Sequence, residues 1–200
     1  KLIIMKLKIC GLSNPNDVEE CVKYNVDFCG FIINYPKSHR YINFEKTKEL
    51  LSIKKNKTKY VGVLVKPKTD ELEMFSELNF DYFQIYDVYN KEALIDIKRK
   101  YLKKLITAIQ VTDKKDIEKY KQFDDVSDII LWDSSGYEKS LKWDYSWIKN
   151  IQTKSEKMIA GNITKDKLSQ IMKLADIVDV SGALETNKVK DINKIKNFIK

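Results

Sequence analysis

The feature that most constrains the fold is a repeated alternation of short β-branched or aromatic runs with longer amphipathic stretches. The repeat is about 25 residues long and gives eight strand patterns and eight helix patterns. The predicted strands cover residues 2–9, 27–33, 59–65, 81–86, 104–110, 127–132, 157–160 and 177–180. The predicted helices cover residues 15–24, 44–53, 69–78, 91–101, 114–123, 143–149, 165–174 and 192–199. This order is typical of an α/β protein with a parallel sheet.

Eight parallel strands that are each followed by a helix close most simply into a (β/α)8 TIM barrel. The alternative is an open doubly wound sheet, whose first turn carries a G-x-G-x-x-G motif. Gly11 follows the first strand without such partners. We therefore predict a (β/α)8 barrel with short loops, forming one compact domain over residues 1–200.

The charge balance points to an anionic partner. The chain has 37 basic and 29 acidic residues, a formal net charge of +8, which suits nucleic acid or a phosphorylated metabolite. Only Arg40 and Arg99 are arginines, and the lysines are interleaved with acidic residues. Proteins that read or track nucleic acids use clustered arginine and aromatic side chains, so we predict no nucleic-acid partner. Arg40 instead becomes a candidate for bidentate carboxylate binding.

Hydropathy and cysteine content exclude two further classes. No apolar run reaches the ~18 residues that span a bilayer, so we expect a cytoplasmic protein without a membrane partner. Cys10, Cys21 and Cys29 are odd in number and lack metal-ligand spacing. We expect reduced thiols, no metal site, and a monomer or homodimer.

Barrel enzymes build their active sites from the loops after the strands. Cys10 ends the first strand, and alternation places it on the same side as Lys8, facing the barrel interior. A small buried hydrophobe is the ordinary interpretation of a strand cysteine. Next to the Lys8 ammonium, however, the pKa of the thiol would be lowered, and the thiolate would serve as a base. The alternatives are that Lys8 is solvated or that a carboxylate neutralises it.

Asp133 follows the apolar end of the sixth strand. A capping or loop aspartate is the ordinary alternative. At the mouth of a barrel, apolar surroundings raise the pKa of a carboxyl group and let it donate a proton near neutrality. Cys10 and Asp133 would then be the base and the acid of an isomerase.

The seventh and eighth loops are candidate phosphate sites. Gly161 and Asn162 follow the seventh strand, while Ser181 and Gly182 follow the eighth. Ordinary turn glycines are the alternative. In barrel enzymes the backbone N–H groups at these positions often hold a phosphate, so we predict a phosphorylated small-molecule substrate.

Several motifs at strand ends resemble those of one family. They are Lys8-Ile9-Cys10-Gly11, Gly62-Val63, Pro36-Lys37-Ser38-His39-Arg40-Tyr41, Leu131-Trp132-Asp133-Ser134, Asp179-Val180-Ser181, Glu185 and Asp191. With these motifs the chain resembles the phosphoribosylanthranilate isomerases of tryptophan biosynthesis over essentially its whole length. The resemblance implies an Amadori rearrangement that converts N-(5-phosphoribosyl)anthranilate into 1-(2-carboxyphenylamino)-1-deoxyribulose 5-phosphate, without a metal or cofactor.

The resemblance also implies residue roles. Asp133 matches the general acid and Cys10 the base. Arg40 matches the residue that binds the anthranilate carboxylate, Asp179 one near the anthranilate amino group, and Gln84 a substrate-binding position. The residues that match the phosphate site are Gly161, Asn162, Ser181 and Gly182.

The chain departs from the family pattern at several positions. Tyr86 replaces a histidine after the fourth strand, Gln110 replaces a basic residue, and the loop over residues 134–140 is shorter and has one glycine. These changes keep open a non-catalytic or differently specific phosphosugar-binding barrel. Another phosphosugar barrel, such as indole-glycerol-phosphate synthase, would need an N-terminal extension and additional lysine and glutamate at strand ends. The single histidine, His39, is interpreted as a loop residue.

Overall fold

The computed structural model describes residues 5–87, 90–134 and 142–200. Eight parallel strands form a closed barrel in chain order, which confirms the predicted fold. The strands are β1 (Lys6–Cys10), β2 (Phe28–Ile32), β3 (Lys59–Val65), β4 (Tyr82–Tyr86), β5 (Lys104–Val111), β6 (Ile129–Ser134), β7 (Glu156–Ile159) and β8 (Ile177–Val180). A short antiparallel hairpin, β9 (Glu185–Thr186) and β10 (Val189–Lys190), follows the last strand.

The first strand differs from its predicted bounds. Residues 1–4, part of the prediction over 2–9, lie outside the described residues. At its other end β1 continues to Cys10, which pairs with Gly30 of β2. Cys10 is thus held on a strand end.

Six α-helices surround the barrel in the described part of the chain. They are α1 (Pro15–Lys23), α2 (Phe44–Leu51), α3 (Thr69–Ser76), α4 (Lys91–Tyr101), α5 (Leu168–Ile171) and α6 (Ile192–Ile199). Side-chain oxygens cap several N-termini, as when Asn14 accepts from the Asn16 N–H ahead of α1. Among the described residues, none of the helices has the length and apolar character needed to span a membrane.

The fifth, sixth and seventh predicted helices contain 3₁₀ geometry. Segments Lys114–Gln122 and Tyr145–Ile148 are 3₁₀, and a 3₁₀ turn at Lys165–Lys167 precedes α5. In the first segment the buried apolar residues are Ile117 and Tyr120. A spacing of three residues matches the 3.0 residues per turn of a 3₁₀-helix, so the tighter helix keeps both on the barrel side.

The strands alternate between two apolar environments. Outward residues such as Ile9, Phe83 and Val178 pack beneath the helices in the larger core. Inward residues fill the barrel and include Phe28, Val61, Tyr82, Ile106, Ile129, Met158 and Ile177. Nearer the C-terminal strand ends the inward positions hold Lys8, Gln84 and Asp179, all buried. The change from apolar to polar residues marks the functional end of the barrel.

Candidate active site

A cavity opens where the loops after the barrel strands meet. Its volume is about 940 Å³, including space open to solvent. Its apolar lining includes Ile32, Val63 and Val65. The predicted site residues that line it are Cys10, Arg40, Asp133, Gly161, Asn162, Asp179, Ser181 and Gly182.

Cys10 has the position predicted for it but a different pKa. A Cβ at Gly30 would come within 2.9 Å of Cys10 Sγ and 3.1 Å of Lys8 Nζ, so the glycine leaves room for both groups. Burial raises the pKa of the Cys10 thiol, and the nearby Lys8 charge opposes this effect without overcoming it. The expectation that Lys8 lowers the thiol pKa below its ordinary value was therefore wrong: desolvation outweighs the ammonium.

Lys8 forms a buried ion pair with Asp179. Lys8 Nζ donates to Asp179 Oδ2 at 2.7 Å, and both side chains are buried. Burial alone would lower the pKa of Lys8, but Asp179 and Cys10 together raise it above its ordinary value. The second carboxylate oxygen, Asp179 Oδ1, has no hydrogen-bond partner among the described residues. Asp179 lines the cavity and keeps one oxygen for a ligand.

Asp133 has the raised pKa predicted for a general acid. Its pKa is about 6, because burial disfavours the carboxylate more than its hydrogen bonds favour it. Tyr86 Oη donates to Asp133 Oδ2 at 2.7 Å, and the Ser134 N–H donates to Asp133 Oδ1 at 2.7 Å. The phenol of Tyr86 thus stands directly beside the predicted acid.

Arg40 makes a bidentate carboxylate contact within the protein. Arg40 Nε lies 2.5 Å from Glu185 Oε1, and Arg40 Nη2 lies 3.0 Å from Glu185 Oε2. Lys190 Nζ also donates to Glu185 Oε1, at 2.6 Å, and His39 Nε2 lies 3.2 Å from Oε2. Although burial opposes ionisation, Arg40 and Lys190 hold the pKa of Glu185 at about 2. Glu185 therefore fixes Arg40 at the cavity wall.

Lys190 is a site-supporting residue that the sequence interpretation missed. Its side chain is almost fully buried, and Nζ also donates to Ser181 Oγ at 3.2 Å. In the sequence it is one lysine among many, and no local pattern separates it from solvated neighbours. Only its burial behind the eighth loop identifies it.

The seventh loop is shaped for close approach of a ligand to the backbone. Gly161 has φ +94° and Asn162 has φ 54°. Tyr145 Oη donates to the Gly161 carbonyl at 2.5 Å, and Lys167 Nζ donates to the Asn162 carbonyl at 2.6 Å. With their carbonyls bound on one side, the peptide units of this loop are fixed.

Backbone donors remain available in both phosphate-site loops. The N–H groups of Gly161, Asn162, Gly182 and Ala183 donate to no other residue in the described part of the chain. All four residues line the cavity. Converging, unsatisfied backbone N–H groups provide a place for an anion such as a phosphate.

Two sequence predictions concern residues that are not part of the described cavity lining. Gln84 is fully buried one layer below the cavity, where its Nε2 lies 3.2 Å from Tyr86 Oη, and it is not part of the cavity lining. Residues 135–141, which include most of the shortened sixth loop, lie outside the described residues. Across the described ranges, no cluster of His, Cys, Asp and Glu has the arrangement of a metal site.

The closed barrel, with ionisable groups and backbone donors gathered around one cavity at its C-terminal rim, belongs to the class of (β/α)8-barrel enzymes. The family model for N-(5'-phosphoribosyl)anthranilate isomerase matches residues 7–200. The chain belongs to this family.

Individual relatives agree with this assignment. The chain is 31% identical to the N-(5'-phosphoribosyl)anthranilate isomerase of Thermoanaerobacter pseudethanolicus, over 98% of this chain and 97% of the relative. It is 32% identical to the enzyme of the same name from a Sulfurihydrogenibium species, again over 98% and 97%. A solved phosphoribosyl anthranilate isomerase from Thermotoga maritima superposes with a TM-score of 0.82 at 26% identity and covers 98% of each chain. Another solved relative, in complex with reduced 1-(o-carboxyphenylamino)-1-deoxyribulose 5-phosphate, has a TM-score of 0.78 at 26% identity and covers 98% of this chain and 97% of its own.

Proposed function

We propose that this chain isomerises N-(5-phosphoribosyl)anthranilate to 1-(2-carboxyphenylamino)-1-deoxyribulose 5-phosphate in tryptophan biosynthesis. The proposal rests on the family membership and on one observation above all. A carboxyl group with a pKa of about 6 and a buried thiol line the same cavity, on strands β6 and β1. Two proton-transfer groups facing one small substrate are what an aldose–ketose rearrangement needs.

The substrate is held at its two ends. Its phosphate accepts hydrogen bonds from the backbone N–H groups of the seventh and eighth loops. The eighth loop begins with Ser181 and Gly182. Its aromatic carboxylate pairs with Arg40, whose guanidinium Glu185 already orients. The apolar lining at Ile32 and Val63 receives the ring.

The first step is ring opening. Protonated Asp133 donates its proton to the ribose ring oxygen while the bond from that oxygen to C1 breaks, and the anthranilate nitrogen forms a double bond to C1. This leaves Asp133 as a carboxylate, which Tyr86 and the Ser134 N–H stabilise through their hydrogen bonds. The free Oδ1 of Asp179 accepts from the anthranilate N–H.

The second step removes a proton from the sugar. The Cys10 thiolate takes the hydrogen of C2, and the electron pair of that bond forms the C1–C2 double bond while the iminium nitrogen is neutralised. The enol then ketonises: C1 gains a proton and the C2 hydroxyl loses one. Lys8, held by Asp179, supplies the positive charge that favours the thiolate.

The partner predictions are part of the same proposal. The reactant is a phosphorylated small molecule, and a cytoplasmic location suits three free, buried cysteines. A monomer or homodimer remains our prediction. The Thermotoga maritima relative is described as a dimeric enzyme from which monomers were generated.

The test follows the fluorescence of phosphoribosylanthranilate during turnover. We expect Cys10→Ala and Asp133→Asn each to lower kcat by about 10²–10⁴-fold, because each removes one proton-transfer group. Both should still bind a reduced product analogue in calorimetry. Cys21→Ala is the matched control: this buried cysteine lies on α1, away from the cavity lining, and its turnover should stay near wild type. Wild-type protein that binds the analogue without turnover would make the chain a phosphosugar-binding barrel instead.

A further inference from the structure

Behind Asp133 the barrel interior holds a chain of hydrogen-bonded side chains. Gln84 Nε2 lies 3.2 Å from Tyr86 Oη, and Tyr86 Oη lies 2.7 Å from Asp133 Oδ2. Gln84 is fully buried and Tyr86 is 8% exposed. Burial and the neighbouring Asp133 raise the pKa of Tyr86, so its phenol keeps its proton and acts as a donor. Among these three residues only Tyr86 and Asp133 reach the cavity.

At the end of this hydrogen-bond chain farthest from the cavity, one acceptor atom has no partner among the described residues. Gln84 Oε1 is buried and has no hydrogen-bond partner among the described residues. A buried amide oxygen without a partner is costly, and its presence beside a phenol calls for an explanation. A half-turn of the amide exchanges Nε2 and Oε1, so Gln84 can either donate to Tyr86 or accept from it.

We propose that Tyr86, supported by Gln84, is a positioning residue that holds Asp133 in both of its protonation states through a hydrogen-bond chain that reverses direction. The proposal rests on the proposed function only in calling Asp133 the acid of the reaction.

The hydrogen-bond chain has one arrangement for ionised Asp133 and another for protonated Asp133. The second contains one more proton, which comes from water. With Asp133 ionised, the Gln84 amide N–H donates to Tyr86 Oη, and the Tyr86 hydroxyl donates to the Asp133 carboxylate. With Asp133 protonated, its O–H donates to Tyr86 Oη, and the Tyr86 hydroxyl donates to Gln84 Oε1. No bond between heavy atoms changes, and one amide atom of Gln84 is unpartnered in either arrangement.

Other ionisable groups also act on Asp133. They lie on β1, β4 and β8 and in the loops after β2 and β6, and are Lys8, Tyr86, Asp179, Arg40 and Tyr145. Cys10 lines the same cavity and acts on Tyr86. Among the described residues, the Asp133 carboxyl also accepts from the backbone N–H of Ser134 and lies 3.4 Å from Ser134 Oγ, and Tyr86 is the residue on another strand that donates to it. Its hydroxyl favours the carboxylate and opposes burial, so its removal must raise the pKa of Asp133.

The test is the titration of Asp133 in the unliganded protein, followed by ¹³C NMR of its carboxyl carbon and assigned by the loss of the signal in Asp133→Asn. Tyr86→Phe should raise the titration midpoint by about one pH unit, because the charged carboxylate loses a stronger hydrogen bond than the protonated acid does. Tyr82→Phe is the matched control. Tyr82 lies on the same strand and the same interior side, and its hydroxyl bonds to no described residue, so the midpoint should not move.

The side-chain NH₂ signals of Gln84 provide the second measurement, assigned by their loss in Gln84→Leu. In the wild type they should change with the same midpoint as Asp133, and in Tyr86→Phe they should become independent of that titration. An unchanged Asp133 midpoint in Tyr86→Phe, or Gln84 signals that ignore the Asp133 titration, would overturn the proposal. Neither readout uses turnover, so a failure of the isomerase assignment would be seen separately, in the fluorescence assay.

Discussion

At the scale of single residues, the site is governed by the competition between burial and nearby charges. For Asp133 burial prevails over two hydrogen bonds, and for Cys10 it prevails over the Lys8 ammonium. For Glu185 the charges of Arg40 and Lys190 prevail over burial. At moderately low pH, the acid Asp133 and the base Cys10 are therefore both uncharged. The Glu185 carboxylate that binds Arg40 stays ionised.

These shifts predict the pH dependence of kcat/KM. The reacting form needs protonated Asp133 together with ionised Cys10, but Asp133 titrates near 6 and Cys10 above its ordinary value. The population of this form rises with pH until Asp133 has titrated, is level between the two pKa values, and falls once Cys10 is ionised. We expect an acidic limb near pH 6, set by Asp133, and an alkaline limb set by Cys10. A steady decline starting near pH 6 would contradict this assignment.

The Lys8–Asp179 pair predicts a large effect on stability. Lys8→Met leaves the Asp179 carboxylate buried without its partner, which typically costs about 3–5 kcal/mol in the free energy of unfolding. Lys6→Met is the matched control on the same strand, because the Lys6–Glu156 pair is about 41% exposed and should contribute less than about 1 kcal/mol. Urea unfolding of both variants measures the difference. Equal losses would mean that burial of the Lys8 pair has no energetic consequence.

The sequence predicted most of the site residues but not their partners. Cys10 was found because strand alternation turns it towards the barrel mouth, and Asp133 because it follows an apolar strand run. The contact of Arg40 with Glu185 joins residues 145 positions apart, and no local pattern encodes it. The sign of the Cys10 shift was also missed, since it depends on the depth of burial, which periodicity does not give.

At the scale of secondary-structure elements, the strands were easier to predict than the helices. All eight barrel strands were found because β-branched and aromatic runs recur at regular spacing, whereas the short hairpin β9–β10 was not predicted. Segment Lys114–Gln122 was predicted as an ordinary helix, but its two buried apolar residues, Ile117 and Tyr120, are three residues apart. A spacing of three fits both helix types, so sequence alone did not distinguish them.

The loops after β7 and β8 predict a contrast between two glycines. Gly161 has φ +94°, and a Cβ there would come within 2.9 Å of the Ser134 Cβ. Gly161→Ala should lower the free energy of unfolding by about 1–3 kcal/mol and raise KM, because the displaced loop loses its phosphate geometry. Gly182→Ala should cost little stability, since the nearest atom to its Cβ would be Arg40 Nη2 at 3.6 Å. Thermal unfolding and steady-state kinetics test both, and a Gly161 variant as stable as the Gly182 variant would refute the strain argument.

At the scale of the whole molecule, barrel closure is what assembles the site. Strand β1 pairs with β2 on one side and with β8 on the other, so residues from both ends of the chain become neighbours. This closure brings Asp179 to Lys8 across 171 positions of sequence, and Cys10 into the cavity that Asp133 lines. An open sheet would leave β1 and β8 at opposite edges and separate these pairs.

The central claim is that Cys10 and Asp133 act on one sugar phosphate bound across this cavity. The most direct measurement is a single turnover of phosphoribosylanthranilate carrying deuterium at C2 of the ribose. The account predicts that the wild type consumes the substrate and removes the deuterium from C2, more slowly than the unlabelled hydrogen, whereas Cys10→Ala retains it in unconsumed substrate. Consumption by Cys10→Ala at the wild-type rate, or wild-type protein that leaves the substrate unchanged, would contradict it.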